Sequence, residues 1–211
     1  MRSPKSKQSR RAQILIGINL NYINPWQTKA MSSKKPFKHL GEKLQSDQLD
    51  SEIEPFIALN HQVFWELLTF IDFAEGLTLG FVEINFSKDV DTLIQALKNN
   101  PHCEEVQFCC FDFAGINVKF LRDAIIERLT DIAQLQDKKL VLIIQGLEKS
   151  IGRKGYYPPV LQDLNFVRDA FTNSVPYPIV FFLPDYAIAR VVKFAPDFWA
   201  WKSVFFRSVG C

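Results

Sequence analysis

The residues of this sequence whose types and spacing could do chemistry lie directly after one apolar run. In the segment "KKLVLIIQGLEKS" (residues 138–150), five consecutive aliphatic residues lead to Gln145, and Glu148 follows three positions later. At the end of a buried strand, one carboxylate can hold Mg²⁺ against a nucleoside triphosphate, and another polar residue can position the attacking group. In this sequence the residue that directly follows the apolar run is the amide Gln145 and not a carboxylate. Gln145 is therefore expected to line a remnant pocket or to bond the loop backbone, and Glu148 to be a general base or a solvated loop carboxylate.

A phosphate-binding loop is missing from the sequence. Such a loop needs glycines whose N–H groups surround the phosphates, followed by a lysine and a metal-binding hydroxyl, as in G-x-x-x-x-G-K-[ST]. Neither that motif nor the dinucleotide motif G-x-G-x-x-G occurs in the chain. In "NFSKD" (residues 85–89), Ser87 and Lys88 stand in the reverse order and no glycine is present. The sequence therefore argues against nucleotide hydrolysis.

Polar residues at the ends of two further predicted strands suggest a cleft. Ligands of an open parallel sheet lie beyond the carboxyl ends of its strands. Glu83 is expected to pair there with Lys88 or Lys119, or else to lie on a partly exposed strand. Asp112 is expected to face the same cleft together with Ser87, or to cap the loop that follows its own strand.

The loop "GRKGYYPP" (residues 152–159) combines cations with aromatic rings. Arg153 and Lys154 beside Tyr156 and Tyr157 could bind a phosphate and stack on a base. The same residue types are also common at the energetic centres of protein interfaces. A glycine-bounded surface loop without a ligand is the third interpretation, and the sequence leaves all three open.

The aromatic segment "FWAW" near the end of the chain carries Trp199 and Trp201, which do not share a helical face. We expect at least one of them to pack at the last strand–helix junction and the other to be exposed, and both are candidate partner contacts. The three histidines are scattered, and the four cysteines lack C-x-x-C spacing. The sequence therefore predicts no metal site and no Ser/His/Asp arrangement.

The charge distribution divides the chain into two parts. Residues 1–41 carry nine Lys and Arg and no acidic residue, whereas residues 42–211 carry 16 basic and 23 acidic ones. We expect residues 1–41 to be a disordered basic tail and residues 42–211 to be a single domain. The acidic domain argues against non-specific nucleic-acid binding, which remains open for the tail. Residues 1–30 could also be an extension upstream of Met31.

The location is expected to be cytoplasmic, with reduced thiols. The acid-free leader is also typical of organelle transit peptides, so targeting stays open. No apolar run reaches the roughly 18–20 residues that a membrane helix needs.

Helical and strand patterns alternate along the domain. A helix is predicted at about 54–75, and five strands separated by helices follow it. Apolar runs such as "LVLII" and "IVFFL" are typical of strands buried on both faces. Strands joined through helices imply right-handed crossovers. The sequence therefore predicts a three-layer α/β domain with a mostly parallel five-stranded sheet and helices on both faces.

Three segments resemble the signal-transduction NTPases of the NACHT/AAA-like superfamily, in the form found in bacterial tetratricopeptide-repeat proteins. These are "LVLIIQGLEKS", "APDFWAWKS" (residues 195–203) and, more weakly, "INFSKDVDTLIQAL". The resemblance covers roughly residues 54–208 and implies a P-loop NTPase-like fold. It places Gln145 where the family has its magnesium-coordinating Asp, and Glu148 at the family's second acidic position.

These observations predict a pseudo-NTPase, a regulatory or scaffold domain that binds a protein partner and needs no cofactor. The alternative is a nucleotide-binding or weak NTPase signalling domain with a non-standard phosphate site. That site would use Arg153, Lys154 and Glu148.

Overall fold

The computed structural model describes residues 53–209, which form strands and helices in regular alternation. The strands are β1 (Leu79–Glu83), β2 (Val106–Asp112), β3 (Lys139–Gln145), β4 (Ile179–Leu183) and β5 (Lys202–Arg207). The helices are α1 (53–59), α2 (His61–Phe73), α3 (Ser87–Lys98), α4 (Leu121–Leu129), α5 (Glu148–Ile151), α6 (Pro159–Phe166), α7 (Arg168–Ser174), α8 (Asp185–Phe194) and α9 (Pro196–Ala200). A short 3-10 helix, Pro101–Cys103, precedes β2.

The five strands form one sheet in the order β2-β3-β4-β1-β5. Every strand pairing is parallel. All five residues of β4 are buried, as is the aliphatic run of β3, because these strands have a neighbour on each side and helices on each face. The predicted α/β class, with a five-stranded sheet and helices on both faces, is therefore confirmed, and the sheet is wholly parallel.

Two hydrophobic cores lie on opposite faces of this sheet. On one face, Leu67 of α2 and Leu93 of α3 pack in the same cluster as Val82 of β1. On the other face, the cluster combines residues of α4, α6, α8 and α9 with the opposite sides of the strands. In that second core, the rings of Phe81 and Phe181 stack with their centroids 4.9 Å apart. Both faces of the sheet thus carry a hydrophobic core, and the ends of the strands lie outside these two cores.

The chain leaves neighbouring strands β1 and β4 toward opposite faces of the sheet. The helix after β1 is α3, on the α2 side, whereas the helix after β4 is α8, on the other side. The two connections therefore diverge at the carboxyl ends of these strands. In open parallel sheets, such a divergence is the usual place for ligand binding.

The predicted first helix, about 54–75, is divided in two at Asn60. This residue has φ −108° and ψ 23°, and α2 begins after it. Its side-chain amide donates to the carbonyl of Phe56 and to that of Val209, and the Val209 N–H donates back to its Oδ1. These bonds fix the end of β5 against the junction of the two helices. The predicted tail, 1–41, lies outside the described residues and stays a prediction.

No helix within residues 53–209 has the length and the apolar character needed to cross a bilayer.

Candidate functional site

A cleft of about 380 Å³ lies at the carboxyl ends of the strands, where the chains of β1 and β4 diverge. Loops after β1, β2, β3 and β4 all contribute to it. Its polar and aromatic lining consists of the carboxylates Asp91, Asp112 and Glu148, the cations Lys149 and Arg153, the polar residues Asn85, Ser87 and Gln145, and the rings Phe86, Phe182 and Tyr186. The sheet thus places a cleft where the sequence predicts one.

The connection from β1 to α3 has only three residues, Ile84 to Phe86. A loop that surrounds phosphates with backbone N–H groups needs more residues and glycines at the positions of close approach. Instead, the Asn85 Oδ1 accepts a 3.0 Å hydrogen bond from the Asp185 N–H, which joins this connection to the start of α8. The Phe86 side chain is 57% exposed at the cleft. The connection after β1 is therefore short and cross-linked to α8, and it does not form a loop of the phosphate-binding kind.

The exits of β2 and β3 pack closely against each other at Gly146. This glycine has φ +75°, and a Cβ built on it would overlap the Ala114 backbone nitrogen and the Asp112 Oδ1. That same Oδ1 accepts a 2.7 Å hydrogen bond from the Ala114 N–H, and the Phe113 N–H donates to the Gln145 carbonyl at 2.9 Å. Asp112 thus caps the turn after its own strand while it lines the cleft.

Gln145 and Glu148 both line the cleft, on either side of this glycine. Gln145 is the last residue of β3 and Glu148 the first of α5, and both are half-buried. Burial raises the pKa of the Tyr186 hydroxyl; the negative charge of Glu148 adds to this, whereas Arg153 opposes it. The Arg153 guanidinium lies 4.2 Å from the centre of the Tyr186 ring. One of the two cleft cations is thus held by an aromatic ring of the cleft itself.

The tyrosine loop, residues 152–157, is tied to α8 at several points. Arg190 Nη2 donates to the carbonyl of Tyr156 at 3.0 Å. The Tyr157 ring stacks on Phe194 with the centroids 5.3 Å apart. Arg153 alone of the four predicted loop residues lines the cleft, while the Tyr156 side chain is 99% exposed. Neither Tyr156 nor Tyr157 therefore lines the cleft together with Arg153.

Two other predicted cleft residues lie outside its lining. The Glu83 carboxylate forms a 2.9 Å ion pair with Arg207 of β5, rather than facing the cleft. The reason is that β5 lies next to β1, with Arg207 in register with Glu83. Lys88 is exposed in the first turn of α3 and does not line the cleft, although its neighbour Ser87 does.

The two predicted tryptophan contacts differ in their surroundings. The Trp199 ring packs on Phe81, with the centroids 4.9 Å apart, and edge-on to Phe205 at 5.5 Å. Trp201 is 37% exposed. Trp199 of α9 thus packs on the core between α9 and the sheet, as expected of one of the two tryptophans.

The structure adds Asn85, Asp91 and Tyr186 to the cleft. The sequence offered one usable signal for Tyr186, since "LPDY" follows an apolar strand. Asn85 bonds a residue 100 positions away, and only the strand order brings the two together.

Among residues 53–209, no group of three His, Cys, Asp or Glu side chains is arranged to hold a metal ion.

Large apolar side chains are exposed on the loops that leave the carboxyl ends of the strands, and one of them, Phe86, lines the cleft. We call this surface the carboxyl-end face and define it by four residues with their exposed fractions: Phe86 (57%), Ile116 (50%), Phe120 (59%) and Tyr156 (99%). They belong to the connections after β1, β2 and β3. Ser150 of α5 accepts from the Val118 N–H at 2.8 Å and donates to the Ile116 carbonyl, so the loop that carries Ile116 and Phe120 is held in place.

Comparisons with known proteins give only distant likenesses. No protein-family model matches the sequence, and no curated protein is similar to it at a significant level. A chain in the structure of Drosophila ORC bound to GC-rich DNA and Cdc6 is similar with a TM-score of 0.48 and 13% identity, over 89% of this chain and 38% of that one. The Aeropyrum pernix ORC2 protein in its ADP form is similar with a TM-score of 0.43 and 9% identity, over 72% of this chain and 47% of that one.

This chain therefore spans less than half the length of either protein. At such identities and scores the likeness assigns neither activity nor partner, and the fold class rests on the sheet itself.

Proposed function

We propose that this chain is a regulatory or scaffold domain, which binds a partner protein through the carboxyl-end face of a P-loop NTPase-like sheet. The observation that carries the proposal is the exposure of Phe86, Ile116, Phe120 and Tyr156 on held loops that follow the carboxyl ends of β1, β2 and β3. Large aromatic side chains with few conformations to lose are the typical anchors of protein interfaces. Single exposed apolar residues are ordinary on protein surfaces, whereas several at the same end of one sheet favour a binding surface.

The local charge supports a protein partner over a nucleotide. Among residues 53–209, Asp91, Asp112 and Glu148 line the cleft against two cations, Lys149 and Arg153, so this part of its lining carries a net negative charge. A nucleoside triphosphate brings several negative charges and would be repelled without a phosphate loop and a metal ion. The three-residue connection after β1 supports the same conclusion, because it replaces the glycine-rich cradle.

The proposal is tested by capturing partners with the full chain and with matched surface variants. Ile116→Asp and Phe120→Asp place a carboxylate on the carboxyl-end face. Leu135→Asp is the control, because Leu135 is 51% exposed, like Ile116 at 50%, but precedes β3 at the opposite end of the sheet.

Proteins retained by the wild type and by Leu135→Asp should be lost from both carboxyl-end variants. Removing a hot-spot contact costs about 2 kcal/mol or more, which corresponds to roughly a thirtyfold loss of affinity. Equal retention by all four proteins would contradict the proposal. Thermal unfolding of each variant checks that a loss of binding is not a loss of fold.

A further inference from the structure

Strand β5 forms one edge of the sheet, and part of its outer side has no hydrogen-bonding partner within residues 53–209. The Ser208 N–H points inward, because it donates to the Glu83 carbonyl of β1 at 3.0 Å. Backbone groups of successive residues point to alternate sides of a strand, so those of Arg207 and Phe205 point outward. Beyond them, the outward backbone groups of Val209 are already bonded to the Asn60 side chain. The open edge therefore ends at Arg207.

An apolar groove of about 610 Å³ runs beside this edge, on the face covered by α2. Its walls are Trp65, Phe70 and Phe73 of α2, and Val204 and Phe206 of β5, and Phe73 is 77% exposed.

Glu66 is the one charged residue that residues 53–209 contribute to the groove lining, and its carboxylate accepts a 2.8 Å hydrogen bond from Gln62. The groove lies where the side chains of an additional strand next to β5 would be placed, and its lining suits apolar side chains.

The other face of β5 carries positive charge. Lys202, Phe205 and Arg207 lie on the side opposite to Val204 and Phe206, as their registers with β1 show. The Lys202 ammonium lies 4.9 Å from the centre of the Trp199 ring, and Arg207 is 71% exposed while paired with Glu83. The two sides of the open edge thus differ, one apolar and one cationic.

We propose that the outer edge of β5 binds an extended segment of a partner protein as a sixth strand. Apolar side chains of that segment enter the groove beside α2, and the alternate side chains are acidic and face Lys202 and Arg207. Addition of a strand to an open sheet edge is an established mode of peptide recognition, in which the backbone supplies affinity and alternate side chains supply specificity. This surface is separate from the carboxyl-end face.

A second copy of the chain suits the edge less well than an acidic segment does. The residues of β5, "KSVFFR", carry a cation at each end and no carboxylate. In an antiparallel pair of two β5 strands, Lys202 of each would come opposite Arg207 of the other, and like charges directly opposite each other are destabilising. Cationic residues on an edge strand are a common protection against such self-pairing.

The test uses the full chain and a fluorescent peptide of alternating valine and glutamate, about nine residues long, within the usual range of strand lengths. We expect saturable binding by fluorescence anisotropy that weakens as salt is raised. Phe73→Asp should weaken binding at least about tenfold, since the groove loses its apolar wall. Phe166→Asp is the matched control, because Phe166 is equally exposed at 77% but lies at the end of α6. A peptide with lysine in place of glutamate should not bind.

Amide hydrogen exchange then locates the peptide. Exchange at Phe205 and Arg207 should slow when the alternating peptide is added, since their outward N–H groups acquire acceptors. The proposal is overturned if the valine–glutamate peptide does not bind at millimolar concentration, if Phe73→Asp binds as well as Phe166→Asp, or if protection appears only on the carboxyl-end face. Dimerisation of the chain through β5 would overturn it as well.

Discussion

Replacing Gly146 by alanine should destabilise the domain more than the same replacement at other glycines. Two costs add at this position. The residue has φ +75°, a left-handed conformation that costs an L-amino acid about 1–2 kcal/mol. The new Cβ would also overlap the Ala114 nitrogen and the Asp112 Oδ1, which are joined by a 2.7 Å hydrogen bond.

Separating these atoms forfeits a hydrogen bond to a charged group, worth about 1.5–3 kcal/mol. We therefore expect Gly146→Ala to lower the free energy of unfolding by about 2.5–5 kcal/mol, the sum of the two costs.

Alanine replacements at two other glycines separate the cost of the backbone conformation from the cost of the steric overlap. Gly76 has φ +56° and open space where the methyl group of an alanine would lie, so Gly76→Ala should cost about 1–2 kcal/mol from the backbone alone. Gly115 lies in the same β2 exit loop as Ala114, has no positive φ and has nothing within 4 Å of its Cβ position. Gly115→Ala should therefore change the stability by less than about 1 kcal/mol, and could raise it by restricting the unfolded chain.

The measurement is chemical denaturation of the three variants and the wild type, followed by circular dichroism. The expected order of destabilisation is Gly146→Ala, then Gly76→Ala, then Gly115→Ala. If Gly146→Ala costs no more than Gly76→Ala, the close packing of the β2 and β3 exits is refuted. The arrangement of Gln145, Glu148 and Asp112 in the cleft would then need another explanation.

Three further outcomes follow from the described contacts. Glu83→Gln should cost about 1 kcal/mol or less of unfolding free energy, because Arg207 is 71% exposed and its ion pair is screened; a denaturant series that shows a cost above about 2 kcal/mol would contradict this. Burial, and to a smaller extent the charge of Asp72, raises the pKa of Cys103 to about 11. Alkylation of the native protein at pH 8 should therefore leave Cys103 unmodified until the protein unfolds. Rapid labelling of Cys103 in the native protein would contradict its burial. Because this folded-state pKa lies above the ordinary thiol value of 9.0, the stabilisation that comes from the buried thiol is present below pH 9 and is lost as the pH rises toward 11. Arg190→Ala removes the bond to the Tyr156 carbonyl and should speed tryptic cleavage after Arg153, measured by mass spectrometry; an unchanged rate would mean that Arg190 does not hold the loop.

The sequence predicted the parts of this domain that depend on local pattern. The aliphatic runs of β3 and β4 are buried on both faces, and this burial is what excludes polar residues from them. Since the sheet is parallel, Gln145, Glu148 and Asp112 at strand ends lie at a common edge, so a cleft there could be inferred from the sequence alone.

The remaining features depend on which strands are neighbours, and local pattern carries no information on that. Glu83 pairs with Arg207 because β5 lies beside β1. Asn85 bonds Asp185 because β4 lies on the other side of β1. Asn60 gave no local sign that its amide would bond Val209, 149 residues later. Each of these contacts depends on the order of the strands or on the packing of residues far apart in the sequence.

The central claim is that the cleft belongs to a protein-binding domain and not to a nucleotide site. Calorimetric titration of the full chain with ATP, GTP and their diphosphates, with and without Mg²⁺, tests it most directly. We predict dissociation constants weaker than millimolar for every nucleotide, since the cleft lining is net negative and the connection after β1 has three residues. Micromolar binding of any nucleotide that is abolished by Arg153→Ala would contradict the claim.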